Sequence, residues 1–568
     1  MVFPIRWLLS GQKVTFNRGV GSSVGKQMAK SCPTLAGVNS SWRSSTVWRS
    51  LAVRILRPEV GFFLLVWLGL QTHFRERAFN DPGALWHVKV GERILESGFM
   101  HEDPFTFTFS GHVWIPQQWG GELAMALAHR AGGFDTILLG LCVLVAALFT
   151  WLFSRAVRNG MHPALAAVVI GGAIVVSGFH FYARPHIITI VGMAITLAWI
   201  VDTERGRCSP WRLFALIPLF VVWTNIHGGV LGGVFTLGLA VAGWGTLFLF
   251  KRTAETPVKS WRAMAMWTGI VSACALTPFI NPFGMEMLNT WRRIVGSAAM
   301  KELVSEHQPL SLNHTAGQVI FGFGCFYLFM LLGTFPKMPR VSWVIPLVWF
   351  VLSLKGIRQG PLFAVLAVVA MADFWPETVW YRLLKKHGDS LARVPETNSR
   401  GWLWTAIPLV GVLMCFTLQL KEIEAPVVGR GWARLDPAQQ PVELADDLRT
   451  YATGVPAGTR IFNDANLGGF VLYHAPQLKI FMDDRFELYG DDWMRDYVRV
   501  VYDEPGGIEN WAETYGFDHA LIMVLPDGDR LPLERYLTDS PNWNCVARCE
   551  RGAMFKRITH QQRQVRNE

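Results

Sequence analysis

The sequence predicts an α-helical polytopic membrane protein of about 11 transmembrane helices, followed by a small extracytoplasmic α/β domain, and three observations predict it. The residues are 51% hydrophobic and the mean hydropathy is positive, which a soluble domain of this size rarely shows. Apolar runs recur from residue 59 to residue 420, and a bilayer core roughly 30 Å thick takes about 20 residues at helical rise. Lys and Arg collect in alternate loops between those runs, an asymmetry that fixes orientation across a membrane.

Residues 1–57 carry Arg6, Lys13, Arg18, Lys26, Lys30, Arg43, Arg49, Arg54 and Arg57, with no acidic residue before Glu59. This basic, Ser-rich stretch is expected to be a disordered cytoplasmic segment in preference to an organelle transit peptide. Spans follow near 59–74, 134–153, 163–182, 186–201, 212–225, 229–250, 262–280, 316–334, 341–355, 361–375 and 402–420, so the membrane domain covers 58–422. With the N-terminus inside, the inner loops carry Arg155 and Arg158; Arg205, Arg207 and Arg212; Lys251, Arg252, Lys259 and Arg262; Lys337 and Arg340; and Arg382, Lys385, Lys386, Arg393 and Arg400. Topology therefore accounts for the net charge of +10. Attraction to anionic headgroups is the expected consequence, and the chain carries no nucleic-acid motif.

The first external loop, 73–133, is long for a connection in a compact bundle, and such loops usually carry function or structure of their own. "DPGALWHVKVGERILESG" predicts a short helix: Pro82 suits a first turn, Asp81 caps it and Gly98 follows its end. "GGELAMALAHRAGG" predicts an amphipathic helix at the interface before the second span. An odd number of spans leaves 423–560 outside, with 561–568 as a tail. There "PVELADDLRTYAT", "NLGGFVLYH" and about 491–515 read as helices, while "TRIFN", "LKIFMDD" and "DHALIMVLP" read as strands. The alternation predicts a small α/β domain with a largely parallel sheet. "NWNCVARCERGAMFKR" reads as strand, turn and strand, which sets Cys545 and Cys549 about 13 Å apart along one strand, too far for a disulfide unless a bulge or turn intervenes.

Once the topology is fixed, the distinctive polar residues share one side. Asp81, His87 and Asp103 lie in the first external loop, Arg184 and His186 in the second, and Asn225 and His227 in the third. Asn281, Glu302, Glu306 and His307 lie in the fourth, and Lys355 and Arg358 in the fifth. The span centres lack Asp, Glu, Lys and Arg, which argues against an ion-coupled transporter and for a cleft at the outer leaflet. Carboxylates near imidazoles supply acid–base groups, and an Arg/Lys/His cluster supplies a phosphate seat. Glycosyl transfer from a lipid phosphate needs both. Plainer roles stand beside these: Asp81 as a helix cap, His87 as a packed histidine, Asp103 as a turn residue before Pro104, and Arg184 and Arg358 as headgroup anchors. For Asp464, Asp483, Asp484 and Arg485, at predicted strand ends, caps and a buried Asp–Arg pair are favoured over a ligand site.

The stretches "DPGALWH" (81–87), "EDPFTFT" (102–108), "ARPH" (183–186) and "NIHGG" (225–229), with "IFNDANLGGFVLY" and "FMDDRFELYG" near the C-terminus, carry a resemblance. Over about 57–560 the chain resembles the GT-C superfamily of lipid-phosphate-sugar-dependent glycosyltransferases, and within it a group of bacterial polytopic proteins. The leading expectation is transfer of a sugar from a polyprenyl-phosphate donor to an envelope glycan, lipid or protein acceptor at the outer face of the cytoplasmic (inner) membrane, although the resemblance itself does not imply which donor or acceptor. The resemblance implies Asp81 as first candidate base and Asp103 as second. His87 completes the candidate catalytic set, and Arg184, His186, Asn225, His227, Lys355 and Arg358 the candidate substrate and phosphate seat. Some members hold a divalent metal (Mg or Mn) through adjacent acidic pairs; here the position two after Asp81 is Gly83, so a metal is only weakly implied. A non-catalytic scaffold or glycan-binding envelope protein of the same architecture, and a lipid-linked sugar flippase, stay open as alternatives.

Overall fold

The computed structural model describes residues 57–558 apart from 208, 389, 393–401 and 527–528, and the described residues belong to one compact unit. The expected N-terminal segment, save Arg57, and the tail lie outside them. A helix stands at each expected span. In chain order the helices are α1 (Pro58–His73), α2 (Gly83–Ser97), α3 (Trp119–Arg158), α4 (Pro163–Gly178), α5 (Ile187–Glu204), α6 (Leu216–Ile226), α7 (Val230–Leu249), α8 (Trp261–Leu276), α9 (Met285–Gly296), α10 (Ala298–Leu303), α11 (Thr315–Leu332), α12 (Val341–Lys355), α13 (Gly360–Phe374), α14 (Val379–Lys386) and α15 (Ala406–Leu420). Among the described residues five helices are long and apolar enough to cross a membrane: α3, α5, α7, α11 and the stretch Ile357–Glu377 around α13. Helices α4, α6, α12 and α15 are apolar and 10–17 residues long. The chain is an integral membrane protein.

Helix α13 runs through the middle of the bundle, with every residue but Leu362 buried. It is apolar all round because it packs on α3, α4, α5, α11 and α12 at once. Helix α3 is broken at Gly132 and Gly133. Gly133 has φ 66°, in the left-handed region that favours glycine, and separates the amphipathic stretch from the spanning stretch. Just past the break, Asp135 accepts the N–H groups of Gly431 (2.9 Å) and Ala433 (2.7 Å), pinning the chain that leaves α15.

At the helix ends remote from the C-terminal domain, arginines of the expected inner loops meet acids. Arg155 grips Asp202 through two bonds (2.6 and 2.9 Å), and Arg205 bridges Asp373 (2.9 Å) and Glu377 (2.6 Å). Trp343 Nε1 also donates to Asp373 at 2.9 Å. The basic residues that mark topology therefore also tie α3, α5, α12 and α13 together.

The C-terminal domain adds α16 (Ala445–Thr453), α17 (Gly468–His474), α18 (Phe486–Tyr489), α19 (Asp491–Val498), α20 (Gly507–Tyr515) and α21 (Pro532–Asp539) around β1 (Arg460–Asn463), β2 (Lys479–Ile480), β3 (His519–Met523), β4 (Trp543–Arg548) and β5 (Gly552–Arg557). The strand order is β2-β1-β3-β5-β4. Strand β1 pairs parallel with β2 and β3, whereas β3–β5 and β4–β5 are antiparallel. The sheet is therefore mixed, not largely parallel, because the tight β4–β5 turn permits only a hairpin. "LKIFMDD" is a strand for only two residues. Beyond them the Asn463 side chain takes the partner's place, accepting from Phe481 N (2.8 Å) and donating to Met482 O (2.7 Å).

The first loop belongs to this sheet. Ile480 N donates to Phe105 O (3.2 Å) and Phe107 N to Ile480 O (3.1 Å), so residues 105–107 cover the edge beyond β2. Phe107 and Phe109 pack into the aromatic cluster of Phe481, Tyr489, Trp493, Tyr515 and Phe517. Helix α17 lies on the start of α2 because Gly469 has no side chain: a Cβ there would sit 2.5 Å from Pro82 O.

Candidate functional site

A turn at Arg77–Phe79 carries the chain from α1 to Asp81, at the start of α2. Asp81 Oδ1 accepts the Gly83 N–H (2.8 Å), so the capping role is real. Both its oxygens also accept from Arg184 Nη1, at 2.9 and 3.0 Å. Arg184 reaches it because Ala183 N donates to Ala78 O (2.8 Å), stitching the "ARPH" loop to the turn after α1. Gly83 marks where these groups meet. A Cβ there would lie 2.9 Å from Asp81 Oδ1, 2.9 Å from Asp484 Oδ2 and 3.1 Å from Arg184 Cζ. Asp484 comes from the C-terminal domain. Burial pushes its carboxyl up to about 7 against the pull of Arg184, with Asp81 and Asp483 adding to the rise.

A layer of imidazoles lies beside these charges. His87 is fully buried, with Nδ1 3.1 Å from Glu122 Oε1 and no partner for Nε2 among the described residues. Burial, with Arg184, His186 and His227 adding, holds it well below the usual histidine range. His186 Nε2 donates to His180 O (2.8 Å), and burial brings both imidazoles down to about 3. His227 Nδ1 accepts the Gly229 N–H (2.9 Å) and faces Thr189 Oγ1 (2.9 Å). Its pKa too is held well below the usual range, chiefly by burial. All four are neutral at pH 7, so they offer N–H groups and lone pairs but no charge. The positive charge comes from Arg184 and from Arg358, whose Nη1 donates to His307 Nε2 (2.6 Å). Glu306 interacts with Arg184 and His307 and lies 3.8 Å from His180 Nδ1.

Three expected site residues stand apart from this cluster. Asp103 is 2% exposed, and its oxygens accept from Phe105 N (3.2 Å), Thr106 N (3.0 Å) and Arg485 Nη1 (2.8 Å). Arg485 also grips Asp483 (2.9 and 2.8 Å) and lies over the Trp114 ring at 4.5 Å. Asp103 thus fastens the first loop to the domain. The Asn225 amide is committed to scaffolding, accepting from Trp119 Nε1 (2.8 Å) and donating to Val221 O (2.8 Å) and Ile280 O (2.9 Å). Lys355 is exposed at the end of α12 and makes no ion pair among the described residues. Asp464 caps the turn at Asn466 N (3.0 Å), in line with its plainer reading. The residue that sequence reasoning weighed and set aside as structural is Asp484. Its signal was the acid missing at position 83 together with an extra one in "DDR".

The residues present do not fit a divalent metal. Among the described residues no group of three or more His, Cys, Asp or Glu side chains could hold one, and the cation beside both carboxylates is the Arg184 guanidinium.

No family model and no curated protein matches the chain. Among solved structures it is similar to two of the mycobacterial arabinofuranosyltransferase AftD, each at TM-score 0.48, with 13% and 15% identity over 89% and 90% of this chain and 41% and 40% of theirs. The chain thus spans about two-fifths of the AftD length. It is also similar to ArnT of Cupriavidus metallidurans bound to undecaprenyl phosphate, at TM-score 0.38 and 14% identity over 92% of this chain and 99% of that one. Likeness of this depth assigns neither reaction nor substrate.

Proposed function

We propose that the protein is a membrane glycosyltransferase that takes a sugar from a polyprenyl-phosphate donor at the outer face of a bacterial cytoplasmic membrane and passes it to an envelope glycan, lipid or protein. In this reading the chain crosses the membrane about 11 times and carries its C-terminal domain outside. One observation carries the proposal. A buried carboxylate, Asp81, two arginines and a set of neutral imidazoles gather at one end of an apolar bundle, where a lipid phosphate would lie.

In this reading the reaction is a single displacement with inversion. A carboxylate takes the proton of the acceptor hydroxyl while the acceptor oxygen bonds to the anomeric carbon. The bond from that carbon to the phosphate oxygen breaks, and its electrons leave with the polyprenyl phosphate. Arg184 and Arg358 stabilise the charge gathering there, and His186 and His227 position the headgroup by hydrogen bonds. Lys355 and Asn225 are assigned no step.

The test is transfer in reconstituted membranes, with radiolabelled polyprenyl-phosphate sugars and native envelope extract. Asp81→Asn is expected to lower the rate at least 100-fold, within the usual range for an acid–base group, while leaving insertion and folding intact. Full activity in that variant removes Asp81 from the reaction. A second reading has its own observation: Asp81 is already satisfied by Arg184 and Gly83 N–H, as in a structural pair. Lipid binding without transfer by either protein would establish a non-catalytic scaffold.

A further inference from the structure

Gly83 has no φ that only glycine favours, yet a side chain there would press on three charged groups at once. Two of them, Asp81 and Arg184, belong to the membrane part; the third, Asp484, is brought in by the C-terminal domain. Its placement is built. Asp483 and Arg485 are locked to Asp103 and Tyr489 with fully buried side chains, which leaves Asp484 between them turned toward α2. Gly468 and Gly469 let α17 close on Asp483 and Pro82, holding the "DDR" turn against the start of α2. Among the described residues Asp484 Oδ1 is enclosed and has no partner in hydrogen-bonding geometry, and the Trp86 indole that acts on this carboxyl stands outside that geometry.

We propose that Asp484 is the second carboxylate of the site and forms a proton-sharing pair with Asp81 around Arg184, so that the C-terminal domain supplies part of the catalytic centre. Two carboxylates against one guanidinium leave a negative charge in an enclosed place, and a shared proton removes it. The charged groups facing Asp484 are Arg184 and Asp81 from the membrane part and Asp483 from its own turn. Glu306 acts on it only through Arg184, and the Trp86 indole of α2 opposes its protonation. The catalytic use of the pair rests on the transferase reading; the existence of the pair does not. In transfer the acceptor O–H bond breaks and its proton passes to the pair. The sugar–phosphate bond breaks with its electrons leaving on the phosphate, and a new sugar–oxygen bond forms. Because Asp484 holds a proton below about pH 7, the pair is ready to accept one only above that, so the rate rises with pH through neutrality.

Infrared difference spectra of the full-length protein in nanodiscs, titrated between pH 5 and 9, test the pair without substrate. The wild type is expected to show a protonated carboxyl band that disappears near neutral pH. Asp484→Asn should abolish the band, and Asp81→Asn should move its midpoint to lower pH, because Arg184 then acts on Asp484 alone. Gly83→Ala keeps both acids and adds a methyl against each, so it is expected to move the same midpoint even if an acid variant fails to fold. A wild-type band that ignores Asp81→Asn and Gly83→Ala, or that survives in Asp484→Asn, overturns the pair. Transfer assays then read its use: Asp484→Asn should lower kcat at least 100-fold and flatten the rise near pH 7, whereas an unchanged pH profile makes Asp484 structural only. If the wild type transfers nothing, the transferase reading fails and the infrared midpoint alone decides the pair.

Discussion

At the scale of single residues, Arg485 shows how a buried charge is kept. Its guanidinium is enclosed, pairs with Asp103 and Asp483, and lies over Trp114. Removing the guanidinium would leave both carboxylates buried and uncompensated, which costs about 3–5 kcal/mol, whereas removing Asp103 leaves the Arg485–Asp483 pair intact and strips the hydrogen bonds that tie Phe105 N, Thr106 N and Arg485 together. Asp103→Ala is therefore expected to loosen the first loop from the domain, seen as a lower Tm in detergent and faster proteolysis between them. The histidines carry a pH consequence. His180 and His186 have folded pKa values of about 3, below the unfolded value of 6.5, so the unfolded chain binds more protons between those limits. Stability then rises with pH across that window and is lost on acidification from about 6.5 toward 3, which urea melts at pH 4.5 and pH 7.5 would show. Asp81 was legible in the sequence because its cap and its Pro82 are neighbours. Asp484 and the scaffolding role of Asn225 were not, because each depends on a partner from a distant segment.

At the scale of elements, the apolar runs placed a helix at each expected span but not the polar helices α9, α10 and α14, since burial in lipid or in other helices leaves the same mark on the sequence and a surface helix leaves less. Sheet direction left no such mark: alternation names strands, but their pairing is decided by connections and by side chains such as Asn463. The break in α3 was legible as "AGG" and carries a prediction. Gly133→Ala forces a side chain into φ 66° and is expected to cost about 1 kcal/mol or more, measurable as a lower midpoint in chemical denaturation. Gly469→Leu should be harsher, since its side chain must displace Pro82 O. Loss of a disulfide engineered between α17 and α2 would register that separation.

At the scale of the whole molecule, charged clusters mark two opposite faces. Arg155, Arg205, Asp202, Asp373 and Glu377 meet at one, and Asp81, Arg184, Arg358 and Glu306 at the other with the C-terminal domain. Sidedness is open to a labelling test. In a variant with its other cysteines replaced by Ser, exposed Cys545 is expected to react with a membrane-impermeant maleimide in intact spheroplasts. Arg158→Cys, with Cys545 replaced by Ser as well, should react only in inverted vesicles. The opposite pattern would move the candidate site to the inner face.

The strand that the first loop lends to the sheet sets an order of events during synthesis. Thr108 donates to Phe481 O across 373 residues of chain, and Phe105 and Phe107 pair with Ile480 over a similar distance. At roughly 5–20 residues per second, the loop waits on the order of tens of seconds, with its edge unpaired and its Phe side chains in water, before its partner strand emerges. All the bundle helices must be in place first. A ribosome halted after α15 therefore releases a bundle that holds Asp81 and Arg184 but lacks Asp484 and the sheet edge that the first loop covers.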